Sequence, residues 1–346
     1  MSARIEVDLD AFRHNVRLLS ETIAPARTML AVKANAYGHG LVPLAHAALE
    51  SGADSLAVLE IAAGLELRHA GITAPLFAWL LGAETDYVTA IEADIDLGIS
   101  SLAQLEAAIA AFSGKPARVH LKVDTGLHRN GANPEDWPAL VSAAVAAEKD
   151  GTVVVAALWS HLADASPQDD EAAFEVFRRA ASVAAGLGCT PPLLHLAASS
   201  AGIRMPKARL GLVRLGIAAY GISPFDDVTG ADLGLRPVMA IRGEVASVTD
   251  GVALVAIGSA DGIQVPAVGT ASVLIGEKRY LLVGIDVDGM RIDVAHSHVA
   301  AGDEVTVFGP GDAGEPTAEE WAAWANTIGD EIVARASERL PRIYLG

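Results

Sequence analysis

Short apolar runs alternate with longer amphipathic segments over the first two-thirds of the chain. Eight runs rich in Val, Ile, Leu and Ala predict buried strands, at residues 28–33, 55–59, 75–80, 95–99, 118–123, 153–160, 193–197 and 210–214. Alanine-rich segments with helical periodicity lie between most of them, at residues 41–51, 61–70, 101–112, 134–149 and 169–187. About eight strand–helix units in roughly 190 residues are the count and size of a TIM-type (β/α)8 barrel.

A doubly wound parallel sheet is the alternative architecture for this alternation. Such a sheet usually carries a Gly-rich phosphate turn, G-x-G-x-x-G, directly after its first strand. No such turn follows the first predicted strand here. The pattern therefore favours the barrel.

The hydrophobic pattern changes after residue 225. Short Val- and Ile-rich runs separated by Gly and Asp turns predict strands at 238–248, 252–257, 271–275, 280–286 and 305–308. One or two helices around 319–336 and a last strand at 342–345 follow. We predict an α/β chain with an N-terminal barrel over residues 10–225. A smaller, mainly-β C-terminal domain would comprise residues 226–346 together with residues 1–9.

Composition narrows the functional classes. The chain has 346 residues, is 51% hydrophobic and carries a net charge of −18, which disfavours nucleic acid or an anionic membrane as a partner. Cys189 is the only cysteine, so no intrachain disulfide can form and a cytoplasmic location is expected. The N-terminus lacks the apolar stretch of a signal peptide, and no apolar run reaches the roughly 18 residues that span a bilayer.

The first predicted strand ends in a lysine that has a distinctive context. The apolar run before Lys33 leads into Ala34-Asn35-Ala36-Tyr37-Gly38, a turn rich in Asn and Gly. A lysine in this position can be desolvated, and its amine can then form a Schiff base. An ordinary lysine that extends its amine to water is the alternative for a single such residue.

Other polar residues follow the later strands of the predicted barrel. They are Lys122 and Arg129 around strand five, His161 after strand six, Ser199 after strand seven, and Arg214 and Gly216 at strand eight. Singly, each has a structural explanation, such as a core histidine or a serine that caps a helix. Active sites of barrels form at the carboxyl ends of the strands, so the set predicts one site. The backbone N–H groups of Gly216 and Ile217 lie where barrels commonly bind phosphate.

The motifs at 31–40, 122–129, 160–161, 195–199, 213–221 and 260–262 resemble those of the alanine racemase family, fold-type III enzymes that use pyridoxal 5'-phosphate (PLP). The resemblance spans nearly the whole chain. It implies that Lys33 binds PLP covalently and acts as a base on the α proton of a small amino acid. The residues that would hold the phosphate are Tyr37, Ser199, Gly216 and Ile217.

The resemblance also assigns residues around the cofactor ring. Arg214 would face the pyridine nitrogen, His161 would support Arg214, and Arg129 would lie near the phenolate oxygen. Lys122 occupies the position of a lysine that is carbamylated in some members. A guanidinium only donates hydrogen bonds, so Arg214 would keep the ring nitrogen unprotonated and make the ring a weaker electron sink.

Racemisation also requires a second acid–base group on the opposite face of the substrate. The resemblance implies a homodimer with shared active sites, in which a tyrosine of the partner's second domain supplies this group. The segment for that tyrosine is missing here, because Asp250-Gly251 runs almost directly into the strand before Gly258. Tyr280 is the one candidate replacement among the five tyrosines, and Asp330 stands where the family has a phosphate-binding tyrosine.

Three functions remain open. The first is an isomerase that interconverts L- and D-alanine, the second a PLP enzyme with one-base chemistry, and the third a PLP-binding protein without activity. A metal site is not expected. Asp293, His296 and His298 lie close together, but the sequence offers no fourth ligand nearby.

Overall fold

A computed structural model describes residues 3–346, which form two compact units. The barrel unit comprises Leu19–Lys33 and Ala48–Gly216. The β unit comprises the described residues up to Leu18, together with Ala34–Ala47 and Ile217–Gly346. Within residues 3–346, no helix is both long and apolar enough to cross a membrane.

The described residues form sixteen strands. These are β1 Arg4–Asp8, β2 Arg27–Ala31, β3 Ser55–Val58, β4 Leu76–Ala78, β5 Ile95–Ile99, β6 Ala117–Lys122, β7 Val153–Trp159, β8 Leu193–His195, β9 Leu212–Leu215, β10 Met239–Thr249, β11 Val252–Val255, β12 Ser272–Ile275, β13 Lys278–Ile285, β14 Met290–Asp293, β15 Glu304–Phe308 and β16 Arg342–Leu345.

The α-helices alternate with the strands of the barrel unit and recur near the C-terminus. They are α1 Leu9–Ile23, α2 Leu41–Glu50, α3 Ile61–His69, α4 Tyr87–Glu92, α5 Leu102–Ala110, α6 Trp137–Lys149, α7 Pro167–Gly186, α8 Ser199–Arg204, α9 Ala318–Ala325 and α10 Gly329–Ala334. Local chemistry fixes several starts. The Ser101 hydroxyl accepts from the Gln104 N–H at the start of α5, and Ser166 with Pro167 begins α7 in the same way.

The barrel unit contains eight parallel strands in the order β8-β7-β6-β5-β4-β3-β2-β9. Backbone hydrogen bonds from Gly211 N to Leu194 O (3.2 Å) and from Arg214 N to Ala197 O (3.1 Å) bring the two end strands together. The predicted (β/α)8 barrel is therefore confirmed, and the doubly wound alternative is wrong. Strands buried on both faces explain why the sequence shows continuous apolar runs rather than alternation.

The β unit contains an eight-stranded sheet in the order β11-β14-β13-β12-β15-β10-β1-β16, and β10 also pairs with β11. Strand β1 pairs antiparallel with β10, with Ile5 opposite Ile241, and parallel with β16. The predicted mainly-β C-terminal region is confirmed, while the boundary at residues 225 and 226 stays a prediction. The sequence pattern missed β14, because its Met-Arg-Ile-Asp run is short and alternates with charges.

Candidate functional site

Lys33 follows β2 and precedes a strained backbone turn. Val32 is fully buried, and its N–H donates to Ala57 O at 2.9 Å, whereas Lys33 is half-buried. The four residues from Ala34 to Tyr37 all have φ between 50° and 54°, which forms a left-handed turn without glycine. Each non-glycine residue in this conformation costs about 1 kcal/mol or more. Strain of this kind concentrates at functional sites, so it supports Lys33 as a site residue.

Asn35 and a buried tyrosine pair stabilise this turn within the β unit. The Asn35 side-chain oxygen accepts from the Leu41 N–H at 2.7 Å. The Tyr37 ring packs on Tyr220 with a centroid distance of 4.8 Å. Burial, and then the carboxylate of Asp330, raise the pKa of Tyr37 well above its ordinary value. Tyr37 is therefore a neutral hydroxyl that can donate a hydrogen bond.

Arg214 lies in β9, buried among uncharged acceptors. Its Nη1 donates to His195 Nδ1 at 2.9 Å, and its Nη2 donates to His161 Nδ1 at 3.1 Å and to the carbonyl oxygens of Ser160 and Leu196 at 2.8 Å. Burial, and then Arg129, lower the pKa of Arg214 to about 9, which leaves the guanidinium charged at neutral pH. The structure thus joins Arg214 to His161 by a hydrogen bond.

Lys122 is a second buried cation of the barrel unit. Its Nζ lies 4.4 Å from the centre of the Trp159 ring and donates to the Asn130 side-chain oxygen. Burial, followed by Arg214 and Arg129, lowers the pKa of Lys122 from 10.5 to about 7. A large part of its population is therefore a neutral amine near neutral pH.

The electrostatics around His161 show how these residues form one cluster. Burial, and then the charges of Arg214, Arg129, Lys122 and Lys33 in that order, lower the pKa of His161 to about 2. We call Lys33, Lys122, Arg129 and Arg214 the cationic cluster. It stands out in a chain whose net charge is −18. A concentration of positive charge in an acidic protein indicates a site for an anionic ligand.

Ser199 is the first residue of α8, and it contacts the residue that follows β9. The N–H of Gly216 donates to the Ser199 Oγ at 2.9 Å. Ser199 is buried, with 4% of its surface exposed. The structure therefore brings together Ser199 and Gly216, two of the residues predicted to hold phosphate. Ile217 opens a short 3-10 turn, Ile217–Tyr220, in the β unit.

The β unit has a tight turn between β10 and β11, where the sequence comparison with the family predicts that a segment is missing. Asp250 (φ 49°) and Gly251 (φ 77°) connect β10 to β11, with Thr249 opposite Val252. Two residues with positive φ form a type I′ hairpin turn, the shortest connection between antiparallel strands. Tyr280 lies in β13 opposite Val273, with Lys278 Nζ 5.1 Å from its ring centre. It lines a cavity of about 700 Å³ together with His296 and His298.

The structure also places side chains that the sequence analysis did not predict as site residues. His195, which accepts from Arg214, is fully buried, and it contacts the buried side chain of His120. His120 in turn contacts Asp96. The position of His195 at the end of a predicted strand was a usable signal, whereas nothing in the sequence marks Asp96. Across residues 3–346, no group of three His, Cys, Asp or Glu residues is arranged to hold a metal ion.

Two family models match the chain. The N-terminal domain of alanine racemase matches residues 7–224, and the C-terminal domain of alanine racemase matches residues 242–344. The chain belongs to the alanine racemase family. It is 42% identical to the alanine racemase of Frankia casuarinae, over 98% of this chain and 95% of that protein, and 41% identical to that of Thermobifida fusca.

Solved structures of alanine racemases share the fold of this chain. The enzyme from Streptomyces lavendulae superposes with a TM-score of 0.97 at 41% identity, covering 100% of this chain and 97% of that one. The Bacillus anthracis enzyme, solved with bound L-Ala-P, gives a TM-score of 0.89 at 30% identity, covering 100% of this chain and 95% of that one. The resemblance drawn from the motifs is thus confirmed at the level of the family.

The sequence alignments also contain gaps in this chain. The alignment with the Thermobifida fusca protein runs over 370 positions, although this chain has only 346 residues. That relative therefore carries residues without a counterpart here. The two-residue turn at Asp250 and Gly251 is one place where such residues would fit, and the loss of a catalytic tyrosine there stays a prediction.

Proposed function

We propose that this protein is a PLP-dependent enzyme that removes and returns the α proton of a small amino acid, with alanine as the first substrate to test. The cationic cluster beside Lys33 carries the proposal, because it supplies an amine and a binding site for an anionic cofactor. The alanine racemases that match almost the whole chain support it.

The residues present fit PLP, whose phosphate and phenolate groups are anions. Arg129 and Arg214 supply positive charge, as does Lys122 when it is protonated. The buried Ser199 hydroxyl, which accepts from the Gly216 N–H, can donate its own proton to a phosphate. Arg214 only donates hydrogen bonds, so it suits an unprotonated ring nitrogen. Lys33 would bind the cofactor covalently, and the resemblance adds Tyr37 and Ile217 at the phosphate.

When bound, PLP supplies an electron sink that makes the α proton of an amino acid acidic. The protein's contribution is to accept and return this proton at Lys33 Nζ. Arg214 cannot take up a proton, and His161 stays neutral because burial, and then the charge of Arg214, lower its pKa. Of the two lysines in the cationic cluster, the resemblance assigns the proton transfer to Lys33, the residue that would hold the cofactor.

One-base chemistry is the second candidate, and the hairpin turn at Asp250 and Gly251 is the reason to test it. A racemase needs acid–base groups on both faces of the α carbon. In this chain the connection where the resemblance expects a tyrosine-bearing segment has two residues. Tyr280 would then have to serve, or Lys33 would exchange the proton of one enantiomer only.

The cofactor is tested by absorbance and the reaction by proton exchange. Purified protein loaded with PLP should show an absorbance band of the covalently bound cofactor at longer wavelengths than the protein itself absorbs, and Lys33→Ala should abolish this band. Lys115→Ala is the matched control, because this lysine of the barrel unit pairs with Asp94 at 2.7 Å. A wild-type protein that takes up no PLP would contradict the proposal.

Exchange of the α proton in D2O then separates the two candidates. Racemisation predicts deuterium in both L- and D-alanine, with inversion starting from either one. Deuterium in a single enantiomer without inversion would instead establish one-base chemistry. A Tyr280→Phe variant that racemises at the wild-type rate would exclude Tyr280 as the second base.

The same resemblance supports a homodimer with shared active sites. Sedimentation at micromolar concentration should give about twice the mass of one chain. If each site is built from two chains, activity should return when Lys33→Ala protein is mixed with a second variant whose inactivating substitution lies in the β unit. A monomeric species with full activity would contradict shared sites.

A further inference from the structure

A chain of buried hydrogen bonds crosses the interior of the barrel unit and ends at Arg214. Arg214 Nη1 lies 2.9 Å from His195 Nδ1, and His195 Nε2 lies 3.0 Å from His120 Nδ1. His120 Nε2 lies 3.1 Å from Asp96 Oδ2, and Arg118 Nε closes the chain at 2.9 Å from Asp96 Oδ1. Asp96, His120, His195 and Arg214 come from β5, β6, β8 and β9, so the barrel itself assembles them.

The hydrogen-bonding capacity of Arg214 determines which nitrogen of His195 and of His120 carries the proton. A guanidinium only donates, so His195 Nδ1 must accept and His195 must carry its proton on Nε2. That proton is donated to His120 Nδ1, so His120 must also carry its proton on Nε2 and donate it to Asp96. Burial alone would raise the pKa of Asp96, but hydrogen bonds from His120 and Arg118 lower it, which keeps the carboxylate charged. The bonds therefore all point from the cation to the anion.

The surroundings hold the two imidazoles rigidly. Phe77 stacks on His120 with a centroid distance of 4.3 Å and an angle of 16°, and Trp159 stacks on His195 with an angle of 9°. His195 is fully buried and His120 is 3% exposed. Burial, followed by the charge of Arg214, lowers the pKa of His195 well below 6.5, so it stays neutral. Bulk water cannot substitute for either hydrogen bond.

Among the described residues, no carboxylate accepts a hydrogen bond directly from Arg214. His195, His161 and two carbonyl oxygens are all uncharged. Asp96 is the anion that the hydrogen-bond chain from Arg214 reaches, and Arg118 pairs with it from the other side. A buried cation needs such compensation, and a chain of polarised hydrogen bonds can transmit it.

We propose that Asp96 and His120 are positioning residues that hold Arg214 in place through His195, by fixing both imidazoles in the Nε2–H form. This inference rests on the proposed function only where it concerns catalysis. Neither residue belongs to the cationic cluster. Their contribution is to align the guanidinium that would face the cofactor ring.

The first test reads the tautomers directly. In protein labelled with 15N-histidine, long-range proton–nitrogen spectra at pH 7 should show His120 and His195 neutral, with the proton on Nε2. His120→Gln and His195→Gln variants assign the signals among the ten histidines. A proton on Nδ1 of either residue, or a doubly protonated His195, would overturn the proposal whatever the activity.

The second test removes the anion in two ways. Asp96→Leu takes away the acceptor, so His120 should populate the Nδ1–H form, and α-proton exchange should fall by about 10- to 100-fold. Asp96→Asn keeps an acceptor oxygen but not the charge. It should keep both tautomers and lose less than about tenfold in exchange. Unchanged tautomers and exchange in Asp96→Leu would overturn the proposal.

Asp54→Asn is the matched control, because this carboxylate of the barrel unit accepts from Thr28 N at 2.8 Å, outside the chain of hydrogen bonds. It should change neither tautomers nor exchange. If Asp96→Leu does not fold, the wild-type and Asp96→Asn spectra still decide. A wild-type protein without α-proton exchange would contradict the proposed function. The tautomers of His120 and His195 would still show, independently of activity, whether the proposal for Asp96 and His120 holds.

Discussion

The titration of Lys122 gives a quantitative test of the electrostatics of the cationic cluster. The lysine is 2% exposed, and burial followed by Arg214 and Arg129 lowers its pKa from 10.5 to about 7. Between these two values the unfolded chain binds a proton that the folded chain does not. Stability must therefore rise with pH across this window, by about 1.4 kcal/mol per pH unit for this group.

Lys122→Met isolates this effect, because methionine keeps an unbranched apolar side chain and removes the amine. From pH 7.5 to pH 9.5 the free energy of unfolding of the wild type should rise relative to the variant by about 2–3 kcal/mol. Below pH 6.5 the difference should be constant. Urea unfolding at several pH values measures this difference in the free energy of unfolding. The buffers must be free of carbon dioxide, because the neutral amine is the form that becomes carbamylated.

The comparison between the two proteins cancels the titration of all other groups. Lys115→Met serves as the control, because it makes the same substitution at a lysine of the barrel unit that is partly exposed and pairs with Asp94. Wild-type and Lys122→Met stabilities that run parallel within about 0.5 kcal/mol over this range would refute the reasoning. Burial and the neighbouring arginines would then not act on Lys122 as the structure indicates.

Two further predictions concern the loop after β6 and the phosphate residues. Gly131→Ala should lower stability by more than 2 kcal/mol, roughly, because φ is 117° and the new Cβ would lie 2.8 Å from Asp124 N. Gly126→Ala is the matched control, because φ is 124° and the new Cβ would have no atom within 4 Å, so it should cost only about 1 kcal/mol of backbone strain. Equal losses of stability in thermal unfolding of the two variants would contradict this account. Ser199→Ala should leave the Gly216 N–H without its acceptor and lower the free energy of unfolding in urea by about 1–3 kcal/mol. It should also weaken PLP binding, measured by fluorescence titration. An unchanged affinity would show that Ser199 does not belong to the phosphate site.

The predicted barrel and several of its site residues followed from rules that act locally. Buried parallel strands are continuous apolar runs, and their carboxyl ends meet at one face, so Lys33, His161 and Arg214 could be grouped from their positions alone. The structure brings Arg214 and His161 into hydrogen-bonding distance, and it joins Ser199 to Gly216.

Two features of the structure were not predictable from local pattern. The left-handed turn from Ala34 to Tyr37 contradicts the preferences of alanine and tyrosine, so only surrounding packing can hold it. The aspartate and two histidines behind Arg214 lie on different strands, separated by 24 and 75 residues along the chain. Their contact depends on strand register, which periodicity does not give.

The amino-acid sequence set which side chains were available, including lysines at or next to the ends of two strands, Lys33 and Lys122, and a two-residue turn in the β unit. It determined the barrel as well, because hydrophobic burial depends on the periodicity of apolar positions. The protonation states of these groups, in contrast, depend on the folded environment. The lowered pKa values of Lys122 and His161 and the fixed tautomers behind Arg214 arise from burial and close neighbours, which exist only once the strands are paired.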